Sequence, residues 1–108
     1  MIQLTSNQIQ EKINSKETFI LDFYADWCGP CKMMMRNIEM AENLLKESNT
    51  RQVPIYKFDV ESDKDFAIQM GIRSIPTLKV IKEGEIVKTN TGVLQAAQFV
   101  QLNEELAS

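Results

Sequence analysis

Apolar residues along the chain fall into two kinds of series, and the two kinds alternate. Residues 18–25 (Thr18-Phe19-Ile20-Leu21-Asp22-Phe23-Tyr24-Ala25) and 53–60 (Val53 to Val60) are short, nearly unbroken apolar runs rich in branched and aromatic side chains. Such runs predict strands buried on both faces, as in a parallel sheet covered by helices. Pro54, near the start of the second run, is tolerable there because it removes only a terminal ladder bond. Between the runs, Cys31, Met34, Ile38, Ala41 and Leu45 recur in steps of three and four. They predict a helix from Cys31 to about Ser48, followed by a loop over 49–52. Residues 2–5 predict a short edge strand. Thr5 and Gln8 have the spacing of a capping box, and Ile9 and Ile13 follow at helical spacing, so a helix is expected over 6–14. Ser62 is the expected cap of a short helix carrying Phe66, Ala67 and Met70, which Gly71 ends. Strands over 77–82 and 85–91 flank Glu83-Gly84, a hairpin signal. Ala96, Phe99, Leu102 and Leu106 mark a last helix after Gly92. The order is β-α-β-α-β-α-β-β-α. It predicts an α/β fold with a central mixed sheet of about five strands flanked by four helices on its two faces.

At 108 residues the chain is sized for one domain, 1–108, with one substantial core. Its net charge of -3, with Lys and Arg scattered singly among Asp and Glu, argues against a nucleic-acid or anionic-membrane partner. No stretch reaches the roughly 20 apolar residues that cross a bilayer. Met1-Ile2-Gln3-Leu4-Thr5 lacks the basic start and apolar run of a secretory signal, so a cytoplasmic location is expected. There are two cysteines, Cys28 and Cys31, and no histidine. In a reducing compartment so close a pair points to catalysis or metal binding more than to a structural staple.

The pair lies where the first buried strand hands over to the long helix. Unpaired N–H groups and the positive end of the helix dipole belong beside Cys28 there, and both favour a thiolate. Pro30 suits the first helical turn, where its missing N–H would have had no partner. Gly29 lets the chain bend. Cys28 is therefore the expected nucleophile and the more exposed sulfur, and Cys31, one turn on, the buried resolving thiol. Three other uses of the pair compete. A purely structural disulfide would close too small a ring to remove much chain entropy. A zinc site needs four ligands, of which the chain supplies two. Two inert buried thiols fit poorly with neighbouring Trp27 and Gly29-Pro30.

Phe23-Tyr24-Ala25-Asp26-Trp27-Cys28-Gly29-Pro30-Cys31-Lys32 resembles the active-site signature of the thioredoxin family. Far along the chain, Gly71-Ile72-Arg73-Ser74-Ile75-Pro76-Thr77-Leu78 resembles the family's cis-proline loop. Lys82-Glu83-Gly84-Glu85, with Gly92 downstream, resembles its closing hairpin. The matches keep the family's order and span essentially the whole chain. The resemblance implies a thioredoxin fold and a general protein-disulfide reductant. Such a protein carries no bound cofactor or metal beyond a redox-active Cys28–Cys31 disulfide. It implies a monomer recharged by an NADPH-dependent thioredoxin reductase and acting on disulfide-containing proteins. It casts Asp22 as the buried carboxylate that handles the proton of Cys31 through water, with Lys57 modulating it. A carboxylate in an apolar strand should have a raised pKa in any case. It also makes Ile75-Pro76 a cis bond opposite the cysteines, with the Ile75 backbone free to pair with an extended substrate. Trp27, Gly29, Pro30, Gly71, Ile72, Ile75 and Pro76 would form a flat, uncharged docking patch.

The chain departs from the pattern in places. Arg36 stands where the family has a helix-kinking proline, so a straighter helix is expected. Tyr24 replaces a common Trp and Ser74 a common Gly, and the stretch from Cys31 to Lys57 is a few residues longer than usual. Met33-Met34-Met35 reads at helical spacing as part core, part surface, though methionines also make adaptable contact surfaces. Two rival functions remain: an oxidase or isomerase on the same fold, which would favour a histidine between the cysteines, and a binding subunit whose redox chemistry is incidental.

Overall fold

A computed structural model describes residues 1–107. The chain runs β1 (Ile2–Gln3), α1 (Ser6–Asn14), β2 (Phe19–Tyr24), α2 (Gly29–Glu47), β3 (Ile55–Asp59), α3 (Lys64–Gln69), β4 (Thr77–Lys82), β5 (Glu85–Thr91) and α4 (Ala96–Ala107). The element order is the one the apolar pattern predicts. The sheet is ordered β1-β3-β2-β4-β5, with β1, β3 and β2 parallel and β4 and β5 antiparallel to their neighbours. Every residue of β2 is buried, because the strand has a neighbour on each edge and helices over each face. On one face Ile20, Leu78 and Val80 pack with Met34, Ile38 and Ala41 of α2 and Phe99 and Leu102 of α4. On the other, Phe19, Leu21, Phe23 and Phe58 pack with Ile9 of α1 and Phe66 of α3. The rings of Phe23, Phe58 and Phe66 meet edge to face at 5.6 and 5.2 Å, the geometry their quadrupoles prefer.

The boundaries shift where local hydrogen bonding overrides the apolar pattern. β1 is two residues rather than four, because Thr5 turns away to cap α1 through a complete capping box with Gln8. β3 spans 55–59 rather than 53–60. Its entry is held from α4: buried Asn103 accepts the Val53 N–H at 2.7 Å and donates to the Arg51 carbonyl at 2.9 Å. Ser62 does not cap α3. Its hydroxyl donates to the Asp59 carbonyl, while the Asp63 carboxylate accepts the Phe66 N–H as the true N-cap. α2 begins at Gly29, two residues earlier than expected, and runs unbroken to Glu47 with Arg36 in its interior. Met33 is half exposed, Met34 is buried and Met35 is partly buried, so the run divides between surface and core.

Two expectations for stability arise here. Asn103→Leu leaves the Val53 N–H without its acceptor, and a loss of about 2 kcal/mol in urea unfolding is expected. An unchanged midpoint would mean the bond contributes nothing net. Glu83 and Gly84 both have positive φ, 52° and 82°, as a two-residue hairpin turn requires. A Cβ on Gly84 would stand 2.5 Å from the Ile13 carbonyl oxygen and 3.1 Å from the Lys16 Cα, both rigid backbone atoms. Gly84→Ala should therefore cost about 2–3 kcal/mol by the same measurement.

Candidate active site

The turn from β2 to α2 makes Cys28 the N-cap of the helix. The backbone of Cys28 is extended, and its Sγ accepts the Cys31 N–H at 3.2 Å, an N–H the helix itself leaves unpaired. Cys28 and Cys31 form a disulfide, their Cα atoms 5.2 Å apart. Cys28 is 5% exposed and Cys31 fully buried, so the expected order holds but the outer sulfur is nearly covered. Gly29 and Pro30 are exposed in the first helical turn. Across from the helix, Ile75-Pro76 is a cis peptide, and the Ile75 carbonyl oxygen lies 3.9 Å from Cys28 Sγ.

In β2, Asp22 is completely buried, and neither carboxylate oxygen has a hydrogen-bond partner among the described residues. It shares a sheet face with Ile20, which packs on α2, and with Tyr24, which packs on Cys31, so it points to the α2 side. Burial pushes its carboxyl up to about 7 against the opposing pull of the Lys57 ammonium. Lys57 is the residue directly beside Asp22 on β3. Its Nζ sits 5.2 Å from the centre of the Tyr24 ring.

Trp27 stands 70% exposed, its indole N–H donating to Glu61 at 2.7 Å. It borders a groove of about 380 Å³ whose walls include Ile72 and Ile75, together with Val60, Ala67 and Ile68. Of the seven residues expected from sequence to form a docking patch, Trp27, Ile72 and Ile75 line this groove, which α3 and the loop before Pro76 wall. Glu61, Lys64 and Arg73 also line it. Gly29, Pro30, Gly71 and Pro76 are outside the groove lining; Pro76 is buried and Gly71 ends α3 with φ +75°. Sequence reasoning missed Val60, Glu61, Lys64, Ala67 and Ile68. One signal was present: Ile68 is an apolar residue that the buried Phe66-Ala67 pair of α3 leaves facing out.

The thioredoxin family model matches residues 1–105. The chain belongs to the thioredoxin family. It is 40% identical over 87 residues to the thioredoxin of Haemophilus influenzae, covering 81% of this chain and 78% of that one. It is 31% identical over 106 residues to the thioredoxin of Buchnera aphidicola, covering 97% and 94%. Among solved structures, chloroplastic thioredoxin z superposes with a TM-score of 0.81 at 26% identity, covering 99% of this chain and 94% of that one. The thioredoxin fold and the Cys28–Cys31 disulfide together make the chain a thiol–disulfide oxidoreductase. Among the described residues, no three His, Cys, Asp or Glu side chains gather to hold a metal ion, and no helix is long and apolar enough to cross a membrane.

Proposed function

We propose that this thioredoxin-family chain is a protein-disulfide reductant in which Cys28 attacks and Cys31 resolves. The observation that carries this reading is the Cys31 N–H aimed at Cys28 Sγ from a helix N-terminus. A donor and a dipole already in place favour the thiolate over the thiol at that sulfur, and the thiolate is the form that attacks disulfides. The Cys28 thiolate displaces one sulfur of a substrate disulfide as a thiolate and forms a mixed disulfide. Cys31 then loses its proton to Asp22 through water and attacks Cys28 Sγ, releasing the second substrate sulfur as a thiolate. Two electrons pass to the substrate, and the chain is left with the Cys28–Cys31 disulfide. A carboxyl that titrates near neutral pH serves as the proton acceptor, with Lys57 adjusting it.

The substrate docks beside the disulfide, on Trp27, Gly29, Pro30, Gly71, Ile72, Ile75 and Pro76, with its apolar side chains in the adjoining groove. The Ile75 backbone pairs with an extended segment, a mode that tolerates varied sequences. An NADPH-dependent thioredoxin reductase re-reduces the pair, and the reducing cytoplasm is the compartment where such a cycle operates. The test is reduction of insulin disulfides by the chain with NADPH and a thioredoxin reductase. Turnover limited by this chain is expected; none under saturating reductase would remove the reading.

A further inference from the structure

One row of residues crosses four strands of the sheet: Gln3 on β1 pairs with Lys57 on β3, which pairs with Asp22 on β2, which pairs with Leu78 on β4. Tyr24 lies two residues beyond Asp22 on the same face. Its hydroxyl nevertheless donates to Gln3 Oε1 at 2.8 Å, two strands away. To make that bond the side chain must span the β3 position that Lys57 occupies between them. Tyr24 is 3% exposed, and the Lys57 ammonium is 5.2 Å from the centre of its ring. A cation over an aromatic face is held by the ring quadrupole, more strongly where water is excluded. The ammonium is thus occupied by the ring, while both oxygens of the neighbouring carboxylate go without a hydrogen bond.

We propose that Tyr24, tethered by Gln3, is a positioning residue that holds the Lys57 ammonium on its ring and off the Asp22 carboxylate. It thereby sets the charge state in which Asp22 meets the resolving thiol. This rests on reading Asp22 as the proton acceptor for Cys31. The groups facing the site are few. β3 supplies Lys57, β4 supplies only Leu78 opposite Asp22, and α2 supplies Cys31. Burial first, and then the Asp59, Asp26 and Asp22 carboxylates, keep the Tyr24 hydroxyl in its neutral, donating form.

Removing the ring acts on Asp22 in one direction by two routes. It lets water reach a carboxyl whose burial is the main influence raising its pKa, and it frees the ammonium to approach. Both favour the carboxylate. In Tyr24→Leu the Asp22 titration midpoint, read by carbon-13 NMR of the side-chain carboxyl, should fall by about one pH unit. Tyr24→Phe and Gln3→Leu each cut the tether and keep the ring, so each should give a smaller fall of the same sign. Combining them should add nothing, since both remove one bond. Gln3 is exposed, so Gln3→Leu remains informative if Tyr24→Leu does not fold. An unmoved or raised midpoint in the folded variants overturns the proposal. The pH profile for decay of a Cys28 mixed disulfide separates this result from the fate of Asp22 itself. Should the carboxyl midpoint move and the decay profile stay, the positioning stands and the proton-acceptor role of Asp22 falls.

Discussion

Cys28→Ser should eliminate disulfide reduction, while Cys31→Ser should stop the cycle halfway with substrate still attached. The two sulfurs are chemically alike and 5.2 Å apart at Cα, so the difference must come from where the helix places them. Cys28 caps the helix and takes the Cys31 N–H, whereas Cys31 lies one turn inside with no exposure. A serine at 28 offers a hydroxyl that is not ionised near neutral pH and does not displace thiolate from sulfur. Loss of turnover by at least about a thousandfold is expected, the scale seen when an enzyme loses its nucleophile. A serine at 31 leaves the first displacement intact, so the expected product is a stable mixed disulfide between Cys28 and substrate, visible by mass spectrometry under non-reducing conditions. The reverse pattern, trapping by Cys28→Ser, would exchange the two roles. A chain acting only as a binding subunit would keep its partner when both cysteines are serine, whereas a reductant would lose all effect.

Sequence periodicity carries the architecture well because burial is what periodicity reports. The run at 18–25 is apolar because its strand is covered on both faces, and that fact is local to the run; β3 is less completely covered than the run at 53–60 predicts, with only Ile55 and Phe58 buried. The α2 face traced by Cys31, Met34, Ile38, Ala41 and Leu45 is likewise the face the structure buries. Cys28 and Cys31 stand out by their spacing at a strand-to-helix turn, and Asp22 as a carboxylate in an apolar strand, which predicts its raised pKa. A part for Asp22 in the exchange comes only from the family resemblance. What failed to show were contacts made between distant segments. Asn103 reads as an ordinary polar residue of an amphipathic helix until Arg51 and Val53 are brought under it. Ser62 and Asp63 are both good caps by type, and only the actual path of the chain gives Phe66 to Asp63. The groove did not show for the same reason: its walls come from α3 and the loop before Pro76, and neither has a motif that announces a groove. Glu61 gains its role from the Trp27 indole, 34 positions away.

Asp22 should make the oxidised protein progressively less stable as pH rises, and Asp22→Asn should remove that dependence. The carboxyl titrates near 3.8 when the chain is unfolded and near 7 when folded, chiefly because burial disfavours its ionised form. Below about pH 4 both states hold the proton, and Asp22 exacts no ionisation penalty. Between about pH 4 and 7 the unfolded chain releases the proton and the folded one keeps it, so unfolding gains about 1.4 kcal/mol per pH unit. Above about pH 7 both states are ionised, and the accumulated loss levels off near 4 kcal/mol. Asparagine has the shape of the protonated acid and no ionisation. The variant should therefore match the parent in urea unfolding near pH 4 and exceed it by up to about 4 kcal/mol near pH 8.5. Equal stabilities at both pH values would mean that Asp22 is hydrated in the folded state, and its place as a buried proton acceptor would go with that result. A gain in stability alongside slower release of the mixed disulfide would show that the buried charge is kept for the exchange reaction at the expense of the fold.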